Sequence, residues 1–150
     1  MDKDITGFLV RAKQAIFAGE VAKMEPSRPN SKDFQYVEGN LKYIDTYLGS
    51  ANFAGEEAMW KDDIPFWSMN YIGKTLSEES QITEIFRFLT EALLLVPEEY
   101  PFRGPQHYTN GDYSYKCTIK GDFHWFSGIE EIFYKNDKVY ELTFHGGDVK

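Results

Sequence analysis

Two stretches of the chain carry nearly the same sequence, and this near-repeat constrains the fold more than any other feature. FAGEEAMWKDD occupies residues 53–63, and FSGIEEIFYKND occupies residues 126–137. Each contains a glycine, a pair of glutamates, an aromatic stretch and a turn sequence with Asp or Asn. Such a repeat indicates one supersecondary unit used twice. The second stretch has one additional residue, Ile129, which predicts a β-bulge that the first stretch lacks.

Further matches lie before and after these stretches in the same order. Upstream, GNLKYIDTYLG at residues 39–49 matches GDYSYKCTIKG at residues 111–121, with Tyr43 and Tyr115 at the same distance from both glycines. We interpret the two halves as products of a tandem duplication. The alternative is that unrelated hairpins resemble one another, because short matches also arise by chance.

Each half begins with a helical pattern and continues with strand patterns. Apolar residues recur at helical spacing over residues 5–16 and again over 82–96, and stretches rich in Tyr, Ile and Thr follow both. The sequence therefore predicts an α+β fold with two tandem α-β-β-β repeats, which form a curved six-stranded antiparallel sheet with two main helices. The chain is predicted to be a single domain, residues 1–150, with repeats spanning about 4–76 and 77–147.

Composition excludes several classes of function. The net charge of −8 argues against binding to nucleic acid or to an anionic membrane, since both require clustered Lys and Arg. The one cysteine cannot form an internal disulfide, and no apolar run approaches a membrane span, so a cytoplasmic location is expected. The three histidines lack the close spacing of a metal site. We predict no catalytic residue, no metal and no cofactor.

The doubled glutamates, Glu56 with Glu57 and Glu130 with Glu131, are the most informative polar residues. Successive strand residues face opposite sides of a sheet, so each pair directs one carboxylate to each face. A carboxylate among aromatic rings could hold a cationic ligand. The alternative is that these carboxylates are solvated or paired with cationic side chains such as Arg103.

Aromatic residues make up 17% of the chain, more than a small core requires. Two helices cover a six-stranded sheet incompletely, so we expect a cleft between them that binds or senses a cationic or aromatic small molecule. The predicted ligand-binding residues are Glu57, Glu131, Trp60, Trp67, Tyr43 and Tyr115. For most of the rings the alternative is core packing. The alternative function is a homodimeric or partner-binding interaction module without catalytic activity.

Several segments together resemble a known family. YIDTYLG, FAGEEAMW, PFWSMNYIG, EEYPFRGPQHY and EEIFYKNDKVYELTFHGG are similar, in this order, to a bacterial family of uncharacterised domains that occur alone or behind helix-turn-helix segments. The resemblance covers residues 8–147 and implies neither an activity nor a catalytic residue. A looser resemblance, of architecture only, is to GyrI-like effector-binding domains, and it implies an aromatic cleft between the helices.

Overall fold

The structure is a computed structural model, which describes residues 3–150 of the chain. Two helices, α1 and α2, span Lys3–Phe17 and Ile82–Leu93, and a short 3₁₀ turn at Glu79–Gln81 precedes α2. The eight strands are β1 Lys32–Glu38, β2 Leu41–Gly49, β3 Asn52–Lys61, β4 Ile64–Thr75, β5 His107–Asn110, β6 Tyr113–Asp122, β7 Trp125–Tyr134 and β8 Asp137–Asp148.

All strands belong to one antiparallel sheet with the order β1-β2-β3-β4-β8-β7-β6-β5. Each half of the chain is a helix followed by four consecutive strands, and the halves meet where β4 pairs with β8. The predicted α+β class, the antiparallel sheet and the two main helices are confirmed. The predicted count of six strands is wrong, since each half has the order α-β-β-β-β.

The two additional strands, β1 and β5, lie at the outer edges of the sheet, each between a helix and the first strand that the sequence patterns predict. Both end in a tight turn that leads into the next strand. The turn glycines, Gly39 and Gly111, have φ of 58° and 61°, and positive φ values favour glycine because it has no Cβ. β5 has only four residues, and β1 contains the polar sequence KDFQYVE, so neither has the long apolar run that strand prediction relies on.

The two halves have equivalent strand pairings. The equivalent positions of β3 and β7 differ by one residue from those that the match between the glutamate pairs suggests. Phe53 lies opposite Gly49 in one half, and Phe126 lies opposite Gly121 in the other. Both glycines have φ near 90° and are so close to the next strand that a Cβ would lie 2.1 Å from a backbone oxygen. The turn that follows is one residue longer in the second half, so equivalent positions in β3 and β7 are 73 residues apart.

The bulge predicted at Ile129 is therefore wrong, because the additional residue lies in the preceding turn. Pairing is regular at Ile129 with both neighbouring strands. The register shifts occur instead after Met59 on β3 and after Ile132 on β7, which are equivalent positions. Both halves therefore bend their hairpins at the same place.

The helices cover only one face of the sheet, which we call the inner face. Phe8, Leu9 and Ala12 of α1 are fully buried against this face, as are Ile85 and Ala92 of α2. Large buried strand residues complete the core, among them Tyr43, Met59, Trp67, Met69, Tyr115, Ile132, Tyr140 and Phe144. The opposite side, which we call the outer face, carries no helix.

Candidate functional site

A cluster of buried charged side chains lies on the inner face. Arg103, in the segment between α2 and β5, is 5% exposed and donates two hydrogen bonds to Glu130, of 3.0 and 2.8 Å. Tyr115 and Tyr140 donate to the same carboxylate at 2.5 and 2.8 Å. The backbone N–H of Gly104 donates in turn to the Tyr115 hydroxyl. This carboxylate is thus neutralised and fully hydrogen-bonded, as a buried charge must be.

A second buried ion pair joins α1 to β3. The Lys13 ammonium lies 2.6 Å from the Glu57 carboxylate and also donates to the carbonyl of Phe102 at 2.6 Å. Tyr43 donates to Glu57 at 2.5 Å. Burial lowers the pKa of Lys13, while the adjacent Glu57 acts in the opposite direction. Glu57 therefore has its own cation, as Glu130 does.

Asp45 is a third buried carboxylate, and it has no cation of its own. It lies on β2 directly opposite Glu57 and is 8% exposed. It accepts a 2.6 Å hydrogen bond from the Tyr71 hydroxyl and forms no salt bridge with the lysines and arginines of residues 3–150. Burial and the nearby Glu57 charge raise its pKa to about 7, against the effects of Tyr71, Lys13 and Arg103.

The charges of this cluster do not balance. Two cations, Lys13 and Arg103, lie among three carboxylates, Asp45, Glu57 and Glu130. With all five ionised the cluster has a net charge of −1. It becomes neutral when Asp45 takes up a proton, or when a cation from outside approaches it. Burial is the largest cause of the raised pKa of Asp45, and this excess of negative charge acts in the same direction.

Asp45 faces a cleft between the two helices. The cleft has a volume of about 730 Å³ and lies over β1 to β4, between the end of α1 and one side of α2. Arg103 and Lys32 also reach it. Six aromatic side chains line it: Phe17, Phe34, Tyr47, Phe53, Tyr71 and Phe86. An interhelical cleft with aromatic walls and a carboxylate is the kind of space that the sequence predicts.

The six predicted ligand-binding residues do not line this cleft. Tyr43, Glu57 and Tyr115 are buried beneath the helices in the charged cluster. Trp67 is fully buried, donates from Nε1 to the carbonyl of Phe123 at 3.0 Å and stacks with neighbouring phenylalanines. For the three rings, Tyr43, Trp67 and Tyr115, the core-packing alternative describes the observed placement. For Glu57 the alternative of pairing with a cation does so, because its carboxylate pairs with Lys13.

The other two predicted residues face away from the cleft. Trp60 follows the buried Met59 on β3 and so points to the outer face. Glu131 is also on the outer face, where its carboxylate lies 2.8 Å from the Lys138 ammonium. The residue equivalent to Glu57 is Glu130, because the repeat offset is 73 residues here rather than the 74 of the sequence match. Pairing with cations, the alternative weighed for these glutamates, is what Glu130 and Glu131 show.

Other reactive side chains offer no site. Cys117 is buried, and burial together with Glu130 raises the pKa of its thiol to about 12. Within residues 3–150, no three His, Cys, Asp or Glu side chains come close enough to hold a metal ion. In the same range, neither helix has the length and apolar character needed to cross a bilayer.

Comparison with known proteins adds a family but no activity. Neither the curated proteins nor the solved structures contain a match to this chain. The sequence model of the family described as Domain of unknown function (DUF5680) matches residues 45–149. The match begins at Asp45 itself and includes β3 to β8, Arg103 and both paired glutamates. The expected membership in a family of uncharacterised domains is thereby confirmed: the chain belongs to the DUF5680 family.

Proposed function

We propose that the protein binds a small organic cation in the interhelical cleft, with Asp45 as the counter-ion. The observation that carries this proposal is the unbalanced carboxylate. Asp45 is more than nine-tenths buried, lines the cleft and forms no salt bridge with a cationic side chain of residues 3–150. A monovalent cation placed beside it would neutralise the cluster and replace the proton that Asp45 otherwise takes up.

The walls of the cleft suit the apolar body of such a ligand. Phe34 and Tyr47 stack with ring centroids 6.5 Å apart, and Phe53 and Phe86 lie 6.1 Å apart. Aromatic faces attract organic cations through their quadrupoles, and the attraction is larger where water is excluded. A volume of about 730 Å³ is typical of small-molecule sites.

The cationic side chains of the cleft already have partners, which favours a cationic over an anionic ligand. Lys32 donates to the carbonyl of Gly49 at 2.8 Å and lies 5.2 Å from the centre of the Tyr47 ring. Arg103 is held by Glu130. Of the two buried charged groups that line the cleft, Arg103 is paired with Glu130, whereas Asp45 forms no salt bridge with the lysines and arginines of residues 3–150. Glu79 and Lys32 also line the cleft, but Glu79 is exposed to solvent.

The binding proposal is tested with two cationic probes, benzyltrimethylammonium and 2-phenylethylammonium, and with the neutral 3-phenylpropan-1-ol. Isothermal titration calorimetry at pH 8 is expected to show binding of both cations and at least tenfold weaker binding of the alcohol, about 1.4 kcal/mol. Asp45→Asn is expected to reduce cation affinity at least tenfold, because the substitution removes the charge and keeps the side-chain shape.

The matched control is Glu131→Gln, which removes a carboxylate from the outer face and is expected to leave affinity unchanged. Equal binding by wild-type protein and Asp45→Asn would refute Asp45 as the counter-ion. Binding of the alcohol as tight as that of the cations would refute the ligand class. Absence of binding by every probe at millimolar concentration would count against the cleft as a site for such ligands.

We also propose that the two halves arose by tandem duplication, and that the cleft developed in only one of them. The inner face of β2 presents Tyr43, Asp45 and Tyr47, whereas β6 presents Tyr115, Cys117 and an isoleucine at the same positions. The tyrosine–glutamate contact of the first half recurs in the second, while the carboxylate of Asp45 does not.

The buried, unpaired cysteine is compatible with a cytoplasmic location, which stays a proposal.

A further inference from the structure

The outer face of the sheet presents a stripe of aliphatic and threonine side chains that crosses six strands. Cross-strand partners place its members in one row, in the order Leu48, Ala54, Ile72, Thr143, Ile129 and Thr118. Ile72, on the central strand β4, is 65% exposed, and Ile129 is 48% exposed. The rows on either side of the stripe are polar or charged. One row is Asn52, Lys74, Glu141, Glu131 and Lys116, and the other is Thr46, Glu56, Asn70, His145, Ser127 and Lys120. Exposed apolar surface bounded by polar residues is typical of an interaction surface.

The arrangement of this face about its centre is self-complementary. The midline of the sheet lies between β4 and β8, with equivalent strands of the two halves on either side. A twofold axis along this midline would place β4 of one copy against β8 of another. Lys74 would then face the partner's Glu141, because these two residues pair across the midline within one chain. By symmetry the contact would occur twice.

The same twofold rotation about the midline places large side chains of one copy against small side chains of the other. Ile129 on β7 would face the partner's Ala54 on β3, since both are one strand away from the central pair in the same row. Trp125, which is 81% exposed, would face the partner's Ala58. A tryptophan this exposed is unusual on a monomer, whereas tryptophan is often one of the few interface residues that contribute most of the binding energy.

The area is adequate for a stable contact. Six strands about 4.8 Å apart and four outer-face rows about 6.8 Å apart give a footprint of roughly 500 Å² per copy. The accessible area buried by two copies would thus be about 1,000 Å² or more, which meets the minimum expected of a specific interface. Sheets of ordinary twist pack face to face in this way at about −30°.

We propose that the outer face is the interface of a homodimer, in which a second copy of the chain packs across β4 and β8 about a twofold axis. The charges of Lys74 and Glu141 fix the direction of packing, and the stripe supplies the buried apolar surface. This interface lies on the side of the sheet opposite the cleft, so the dimer and the ligand site can be tested independently.

Sedimentation velocity of the full chain from 1 to 200 µM tests the proposal. The wild type is expected to approach twice its 17.4 kDa mass within this range. Ile72→Asp is expected to raise the dimer dissociation constant at least a hundredfold. The matched control, Ile64→Asp, alters an equally exposed isoleucine (68%) outside the stripe and is expected to leave the dissociation constant unchanged.

A charge swap tests the direction of packing. Lys74→Glu alone is expected to weaken dimerisation at least tenfold, because two carboxylates would then face each other twice. The double variant Lys74→Glu/Glu141→Lys is expected to restore it. A wild type that stays monomeric at 200 µM would overturn the proposal, as would equal effects of Ile72→Asp and Ile64→Asp. A dimer insensitive to the charge substitutions would overturn the twofold arrangement.

Discussion

Replacement of Arg103 by alanine is expected to lower the free energy of unfolding by about 3–5 kcal/mol, enough to unfold a marginally stable domain. The substitution leaves the Glu130 carboxylate at 0% exposure without its cation. Tyr115 and Tyr140 still donate to it, but two hydroxyl groups do not replace a guanidinium. Urea denaturation followed by circular dichroism at pH 7 measures the loss.

Arg11→Ala is a closely matched control. Arg11 donates to both oxygens of Glu38 at 2.9 Å, with the same two-pronged geometry as Arg103 and Glu130. The Arg11 pair is exposed to solvent, so its loss is expected to cost less than about 1 kcal/mol. Similar losses for Arg103→Ala and Arg11→Ala would show that burial does not determine the value of these pairs.

The sequence was sufficient to predict the general architecture, because helices and long strands have strong periodic patterns. The helix patterns over 5–16 and 82–96 correspond to α1 and α2 within a few residues. The tight turns predicted in KDD and KND occur there, with positive φ at Asp62, Asp63 and the equivalent pair. These features depend on local interactions, which a short window of sequence contains.

The edge strands could not be predicted with equal ease, since edge strands are short and polar. One local signal was nevertheless present: Asn110–Gly111 is a strong hairpin signal, and it does join β5 to β6. In the first half the corresponding turn contains Gly39 followed by Asn40, a weaker form of the same signal. These two dipeptides are the local sequence signals for the hairpins that bring the sheet to eight strands.

The candidate site was predicted less well, because its residues depend on register. A shift of one residue moves a side chain to the opposite face of a strand, and the one-residue slip in the repeat match exchanged Glu130 for Glu131. Asp45 could have been found from its neighbours. It stands between Tyr43 and Tyr47 at alternate positions, so it shares their buried face. The absence of a cation beside it is a tertiary property that only the structure reveals.

Asp45→Asn is expected to stabilise the protein at pH 8 by about 2–4 kcal/mol, since one pKa unit is about 1.4 kcal/mol. The pKa of Asp45 is about 7 in the folded protein and near 3.8 in the unfolded chain. Between these values the folded state holds the proton more tightly, so wild-type stability falls as pH rises from about 4 to about 7 and then levels off. The asparagine variant has no such slope at this position.

Asp33→Asn is a control of opposite sign. Asp33 is also a buried aspartate, in the neighbouring strand, and burial alone would raise its pKa. Hydrogen bonds from Ser27, Ser31 and Thr46 outweigh burial and hold the pKa below its usual value. Wild-type Asp33 therefore contributes stability that is lost as pH falls through its folded pKa, and Asp33→Asn is expected to destabilise at pH 8.

Urea denaturation of the three proteins at pH 4, 6 and 8 distinguishes the two environments. A gain for Asp45→Asn that grows between pH 4 and pH 8, beside a loss for Asp33→Asn, would show that Asp45 is costly to the fold when it is charged. Equal stabilities of wild type and Asp45→Asn at pH 8 would contradict this. A charged Asp45 that weakens the fold is the state that the proposed cationic ligand would neutralise, so this result would support the proposed function.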